Sequence, residues 1–160
     1  ELTVFTNPLP NSYQRFGCDE APRYVSWSRQ NRSQLVRIPM VKGDNCRMEL
    51  RSPDPACNPY LAIGLVLAAG LDGIEHRMVL QPPVNKNLFR PGEAEGLGLE
   101  MLPATLEEAV AIAEESDFLH KVLPEELSRR YFAEERARCE ALRAAADPAE
   151  YERIHYFNAI

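Results

Sequence analysis

Arg47, Glu49 and Arg51 alternate along one short segment, with Met48 and Leu50 between them. Successive side chains of an extended strand point to opposite faces, so the three charges share one face. A carboxylate can bind a hard metal ion, and a guanidinium group can hold a phosphate or a carboxylate through two parallel hydrogen bonds. The segment predicts either a binding face or charges that pair with one another or with the next strand, which is the commoner outcome for an isolated strand.

Arginine is concentrated in the first part of the sequence. Residues 1–60 hold eight basic side chains, seven of them arginine, against six acidic ones, whereas residues 61–160 hold ten basic and eighteen acidic. The two parts carry net charges of +2 and −8, which sum to the −6 of the chain. Arginine suits planar recognition of carboxylates and phosphates, whereas a nucleic-acid partner usually requires a basic domain. The pattern favours a small anionic ligand and no nucleic acid.

The composition is typical of a globular domain with one core, at 160 residues and 45% hydrophobic. The longest apolar run, residues 60–70, is about half of what a bilayer span requires, so we expect no membrane association. The four cysteines contain no Cys-x-x-Cys pair, which favours free thiols in a reducing compartment. These features predict a cytoplasmic protein.

Short β-rich runs alternate with turn residues before residue 58. The predicted strands are residues 24–28, 34–41 and 46–52. Lys42-Gly-Asp-Asn45 has the composition of a hairpin turn between the last two. Arg37 lies on the alternate face from its neighbours, so we expect two adjacent strands to aim guanidinium groups in the same direction.

The sequence becomes helical after residue 58. Asn58 can cap a helix that begins at Pro59 and runs to about Leu71, with Gly73 as its stop. This helix is apolar nearly all round, which predicts a buried element. Residues 81–102, rich in proline and glycine, predict a long irregular connection.

Local signals predict four more helices. Thr105-Leu-Glu-Glu108 is a capping box that opens a helix to about Glu115. The other predicted helices begin at Ser116, span residues 124–146, and run from the Asp147-Pro148 cap to about Phe157. The predicted fold is α+β, with short antiparallel strands in residues 1–55, then a buried helix and a mainly helical C-terminal half.

The sequence contains none of the common nucleotide-binding or hydrolase motifs: no glycine-rich dinucleotide loop, Walker loop, His-Glu-x-x-His or Gly-x-Ser-x-Gly. Any nucleotide must therefore be held by arginines and a metal.

Motifs in order along the chain resemble the glutamine synthetase family, most closely the bacterial type I enzymes in the carboxy-terminal part of their catalytic domain. The motifs include Asn-Ser-Tyr-Gln-Arg at 11–15, Glu-Ala-Pro at 20–22, Arg-Met-Glu-Leu-Arg at 47–51, Asn-Pro-Tyr at 58–60 and Ala-Gly-Leu-Asp-Gly-Ile at 69–74. The resemblance implies that residues 1–160 are the C-terminal portion of such a domain, without the family's N-terminal β-grasp domain and upstream catalytic segment.

The resemblance implies ATP-dependent ligation of ammonia to glutamate through γ-glutamyl phosphate, with ATP as co-substrate and Mg²⁺ or Mn²⁺ as cofactor. It also implies a ring-shaped homo-oligomer for the full-length enzyme. One carboxylate cannot hold a metal that needs several protein ligands, so the 160-residue chain is expected to be inactive alone.

The resemblance also implies roles for single residues. Glu49 is expected to bind the metal, and Arg15 and Arg51 to bind the carboxylates of glutamate. Arg32 is expected to contact the phosphoryl group, ATP and the substrate. The remaining implied roles are ATP-phosphate binding by Arg37 and Arg47, and a flap carboxylate, Glu20, that shields the acyl phosphate from water and helps take a proton from ammonium.

The chain departs from the family pattern at two places. The loop from Arg15 to Glu20 is one residue shorter, with Gly-Cys-Asp at 17–19 in place of a Pro-Gly-aromatic stretch. Phe89 stands where some family members carry a tyrosine that is adenylylated, which predicts no such control here.

Two other functions are compatible with the sequence. One is a relative that joins glutamate to an amine other than ammonia, since such enzymes keep the phosphate and metal residues. The other is a non-catalytic module that binds a ligand or another subunit.

Overall fold

The computed structural model of the protein describes residues 1–157. Helices and a small sheet follow one another along the chain, and the predicted α+β class is confirmed. The α-helices are α1 (Thr3–Thr6), α2 (Pro59–Glu75), α3 (Leu106–Glu114), α4 (Asp117–Val122), α5 (Glu125–Ala144) and α6 (Pro148–His155). The strands are β1 (Trp27–Ser28), β2 (Val36–Arg37) and β3 (Glu49–Leu50), and Pro10–Arg15 and Gly43–Asn45 are 3₁₀ helices.

The sheet has the order β1-β2-β3 and is mixed. β2 and β3 are antiparallel around Gly43–Asn45, as the turn composition predicts. β1 and β2 are parallel, so the prediction of antiparallel strands is wrong for this pair. Residues 29–35 join these two strands as a loop and not as a hairpin turn. The loop carries the chain back past β1, so that β2 starts beside Trp27.

The hydrophobic core lies between α1, α3 and α5. Val4 and Phe5 of α1 are almost completely buried. The Phe5 ring stacks on Tyr131 with 4.5 Å between centroids, and the Tyr131 hydroxyl donates a hydrogen bond to the carbonyl of Val4 at 2.9 Å. The sequence pattern does not indicate helix α1, because four residues are too few to show a helical period.

Helix α2 is mostly exposed, so the prediction of a buried helix is wrong. Only Ala62 and Leu65 are buried, on the side that faces α1 and the core. A stripe along the other side is exposed: Tyr60, Ile63, Leu67, Leu71 and Ile74. A helix that is apolar nearly all round is expected to be covered by other residues on both sides. Among residues 1–157, other residues pack against one side of α2 only.

The ends of α2 are set by local chemistry. The Asn58 side chain accepts from the backbone N–H groups of Tyr60 and Leu61, which confirms the predicted cap. The predicted stop at Gly73 is wrong, because the helix continues to Glu75. It ends where Arg77 adopts φ +49° and the N–H of Met78 donates to the carbonyl of Gly73 at 2.9 Å.

The predicted caps of the later helices are confirmed. Thr105 accepts from the N–H of Glu108, Ser116 from that of Leu119, and Asp147 from that of Glu150. The connection between α2 and α3 is irregular, as predicted, and contains no helix or multi-residue strand. One of its residues, Met101, forms an isolated antiparallel bridge with Tyr24. No helix in the described part of the chain has the length and apolarity needed to cross a bilayer.

Candidate functional site

Three guanidinium groups converge on the carboxylate of Glu49. Arg37, which lies opposite Glu49 in the β2–β3 register, donates from Nη1 to Oε2 at 2.8 Å. Nη2 of Arg47 lies 3.0 Å from Oε1, and Nη1 of Arg51 lies 3.8 Å from Oε2. The hydrogen bond from Arg37, aided by Arg47, lowers the pKa of Glu49, which keeps the carboxylate ionised at neutral pH.

Arg51 connects Glu49 to a second carboxylate. Its Nε donates to the backbone carbonyl of Arg32 at 2.9 Å, and its Nη2 donates to the carbonyl of Glu20 at 3.1 Å. The same Nη2 lies 3.4 Å from Oε2 of Glu20. The Arg51 side chain is only 16% exposed, so a guanidinium fork with fixed geometry joins β3 to two loops.

Glu20 occupies a tight turn with an uncommon backbone conformation. Asp19 and Glu20 have φ values of +44° and +69°, in the left-handed region that few non-glycine residues adopt. The turn is closed by a hydrogen bond from the N–H of Gly17 to the carbonyl of Ala21 at 3.0 Å. The Glu20 side chain is exposed and pairs with Arg32 at 3.4 Å. The turn therefore holds an exposed carboxylate above Arg51 and Arg32.

Together these contacts form one charged network, which we define by its members: Glu20, Arg32, Arg37, Arg47, Glu49 and Arg51. The structure thus brings together six of the seven site residues that the resemblance implies. Both carboxylates are paired, as expected for a strand face with internal ion pairs. Four guanidinium groups against two carboxylates still leave a net charge of +2. This excess, presented on partly exposed arginines, can bind a phosphate or carboxylate.

Arg15, the seventh predicted residue, has different partners. Its Nη1 lies 4.0 Å from Oδ2 of Asp54 and donates to the carbonyl of Ser52 at 3.4 Å. Arg15 and Asp54 line an open cavity of about 420 Å³, together with Gln14 and Cys18. Arg15 therefore lines a cavity outside the charged network. It contacts the carbonyl of Ser52, the residue that follows Arg51 of the network.

Asp54 lines this cavity but is not among the site residues that the sequence predicts. Asp54 is buried, its N–H donates to the carbonyl of Thr6 at 3.1 Å, and its carboxylate accepts from the N–H of Ala56 at 3.0 Å. A carboxylate between two prolines is the signal that could have identified it, because such a segment is rigid and turn-forming.

The described residues do not form a complete metal site. No group of three or more His, Cys, Asp or Glu side chains within residues 1–157 is arranged to hold a metal ion. The network offers Glu49 as a single well-positioned carboxylate, whereas Mg²⁺ requires near-octahedral coordination.

Comparison with known proteins gives concordant matches. Residues 1–154 match the family described as glutamine synthetase, catalytic domain. The glutamine synthetase of Methanosarcina mazei is 44% identical over 156 residues, covering 96% of this chain and 35% of the relative. That of Methanocaldococcus jannaschii is 42% identical over 147 residues, covering 90% and 32%. That of Staphylococcus aureus is 38% identical over 158 residues, covering 97% and 35%.

The fold is also similar to a solved structure. A GmaS/ADP complex, in its conformation 1, superposes with a TM-score of 0.79 at 32% sequence identity, over 96% of this chain and 35% of that chain. The chain therefore spans about a third of the length of the curated relatives and the solved structure that it matches.

Proposed function

This chain belongs to the glutamine synthetase family, and on that premise we propose that its protein ligates ammonia to glutamate, with consumption of ATP and through γ-glutamyl phosphate. The observation that carries the proposal is the charged network, with four arginines arranged around two carboxylates. The similarity to a protein solved with ADP supports nucleotide binding at this fold. The assignment to the bacterial type I group stays a prediction with which these relatives are compatible.

In this proposal the arginines around Glu49 bind the phosphates of ATP. Arg37 and Arg47 neutralise phosphate oxygens, and Arg32 contacts the transferring phosphoryl group, the nucleotide and the substrate. Phosphoryl transfer depends on positioning and on stabilising negative charge in the transition state, and guanidinium groups provide both. The loose ion pairs of Arg32 and Arg51 with Glu20, each 3.4 Å long, allow both arginines to exchange partners when a substrate binds.

Glutamate and ammonia are proposed to bind beside the same network. Arg51 and Arg15 bind the carboxylates of glutamate, and release of Arg15 from Asp54 would free its guanidinium for this role. Glu20 covers the acyl phosphate, excludes water and helps remove a proton from ammonium. Excluding water matters because an acyl phosphate hydrolyses readily.

Glu49 is proposed as one ligand of Mg²⁺ or Mn²⁺. When bound, the ion would neutralise phosphate charge between the substrates. The described residues offer too few ligands to complete such a site, so we propose that the rest of the enzyme supplies them and that the 160-residue chain is inactive alone.

The same family membership supports proposals about the assembly and the location of the protein. We propose a homo-oligomer of ring type for the whole enzyme and a cytoplasmic location, which the four free cysteines support. Glutamate, ammonia and ATP are its proposed small-molecule partners.

The reaction is tested on the enzyme that carries this segment, by measuring product formation with ammonia and with several primary amines. We expect ammonia to be the preferred amine. A higher kcat/KM with another amine would replace the proposal by its closest alternative, a glutamate–amine ligase of the same family.

The incomplete site is tested by calorimetric titration of the 160-residue chain with Mg-ATP. We expect no tight binding. Tight binding that depends on the metal would contradict the proposal that other parts of the enzyme complete the site.

A further inference from the structure

The backbone carbonyl of Lys86, in the irregular connection, is held by two side chains from the loop that carries Arg32. Nδ2 of Asn31 donates to it at 2.8 Å, and Nε2 of Gln34 donates to it at 2.9 Å. A carbonyl oxygen has two lone pairs, so these two donors satisfy it fully. Residues more than fifty positions apart in sequence are thereby joined at one atom.

Ser33 adds a second link between the same two segments. Its hydroxyl donates to Oδ1 of Asn31 at 2.9 Å and accepts from the N–H of Leu88 at 2.8 Å. Its own N–H donates to Oδ1 of Asn31 at 3.0 Å. We call these five residues the loop clamp: Asn31, Ser33, Gln34, Lys86 and Leu88.

Two polar side chains of the loop clamp, those of Ser33 and Gln34, are buried. Gln34 is 0% exposed and Ser33 is 1% exposed. Burying an amide costs free energy unless its hydrogen bonds are made, and an apolar side chain would fill the same space without that cost. The contribution that distinguishes Gln34 from an apolar side chain at this position is therefore its hydrogen bond to the Lys86 carbonyl.

Arg32 lies between the clamped residues, yet its own side chain is 59% exposed and reaches Glu20 of the charged network. The carbonyl of Arg32 also accepts the hydrogen bond from Nε of Arg51. The hydrogen bonds that hold the backbone of residues 31–34 therefore fix the position of the Arg32 Cα, from which its side chain extends. They also fix the Arg32 carbonyl that accepts from Arg51.

We propose that the loop clamp positions Arg32 for substrate binding, with Gln34 and Asn31 as positioning residues and the Lys86–Leu88 segment as their anchor. This inference rests on the proposed function, in which Arg32 contacts the nucleotide and the phosphoryl group. The irregular connection thereby acquires a task, because Lys86 and Leu88 hold the loop that carries a binding residue.

The first test measures Mg-ATP affinity in the enzyme that carries this segment. Gln34→Met keeps the side-chain volume and removes the donor to Lys86, and we expect it to weaken binding about tenfold. Gln81→Met makes the same change at an exposed position of the connection and should leave the affinity unchanged.

The second test separates positioning from a general effect on the fold. Residues that act through one another are not additive, so Gln34→Met in an Arg32→Ala background should cause no further loss of affinity. A loss in the double variant equal to the product of the two single losses would overturn the proposal. If Gln34→Met does not fold, Asn31→Ala is the second variant, because it removes the other side-chain donor to Lys86 without adding a charge.

A third measurement keeps this inference distinct from the proposed function. We expect the amide protons of Ser33 and Leu88 to exchange about tenfold faster in Gln34→Met and at the parent rate in Gln81→Met. An enzyme that binds Mg-ATP but makes no glutamine would contradict the proposed reaction and leave the loop clamp standing. Unchanged exchange in Gln34→Met would refute the loop clamp whatever the reaction is.

Discussion

At the scale of single residues, Arg51 links the two carboxylates of the charged network, Glu20 and Glu49. It is the only member that contacts both Glu20 and Glu49 among the residues described. Its contacts use Nε, Nη1 and Nη2 in different directions, which a single ammonium group cannot reproduce. A positive charge alone at this position therefore cannot make all the contacts of the Arg51 guanidinium group.

Replacing Arg51 by lysine tests this directly. We expect Arg51→Lys to lower kcat/KM for glutamine formation by at least about tenfold in the enzyme that carries this segment, because the fork to Glu20, Arg32 and Glu49 is lost. Arg29→Lys, at an exposed position of the same part of the chain, is the matched control and should keep the parent activity. Full activity of Arg51→Lys would contradict the assigned role.

Glu135 of α5 is a buried carboxylate outside the charged network. It is 3% exposed and accepts from Nε of Arg138 at 3.1 Å. Burial raises the pKa of Glu135, and Arg138 opposes this rise only in part. The folded chain therefore binds this proton more tightly than the unfolded chain, so stability falls as the pH rises from the ordinary carboxylate range through the raised pKa.

We expect Glu135→Gln to remove this decline, so that the variant loses less stability than the parent between mildly acidic and neutral pH. The measurement is urea unfolding of the 160-residue chain across a pH series. Glu140→Gln, on the exposed side of the same helix, should keep the parent's pH dependence. A parallel decline in the parent and in Glu135→Gln would show that another group is responsible.

At the scale of elements, helix α2 continues past Gly73, the glycine at which the sequence predicts its end. Gly73 lies inside the helix, and a Cβ added there meets no atom within 4 Å. The left-handed position that ends the helix is occupied by Arg77 instead. The helix end is therefore fixed by backbone hydrogen bonds beyond Gly73.

Gly73→Ala should stabilise the 160-residue chain by about 0.5–1 kcal/mol, because alanine loses less backbone entropy in a helix and meets no obstruction. Gly96→Ala is the opposing control, since Gly96 has φ +72° and alanine there should be destabilising. Chemical denaturation measures both. Destabilisation by Gly73→Ala would mean that α2 ends at Gly73, as its sequence alone suggests.

At the scale of the whole molecule, the exposed apolar side of α2 is the main feature that the described residues leave without cover. Its five side chains follow one face of the helix, and the adjoining Met78, Val79 and Leu80 are exposed as well. Contiguous apolar surface of this kind marks a contact region or a liability to associate. The chain spans about a third of the length of the relatives that it matches.

For the 160-residue chain studied alone, we expect concentration-dependent self-association through this face. Leu67→Lys places a charge at the middle of the stripe and should raise the dissociation constant at least about tenfold in sedimentation equilibrium. Ile112→Lys, at a partly exposed apolar position of α3, is the control. A parent chain that stays monomeric at all concentrations would contradict this expectation.

The sequence by itself determined the features that depend on near neighbours. The caps at Asn58, Thr105, Ser116 and Asp147 follow from side chains that bond two or three residues ahead. The β2–β3 turn and the alternation of Arg47, Glu49 and Arg51 are equally local, and the family motifs indicated six residues that the structure brings together.

Only the tertiary structure decided features that depend on distant segments. These are the parallel β1–β2 pairing, the one-sided burial of α2, the pairing of Arg15 with Asp54, and the hold of residues 31–34 on Lys86. The physical reason is common to all four. Local patterns fix which hydrogen bonds a short segment can make, whereas burial and long-range pairing depend on which other segment occupies the adjacent space.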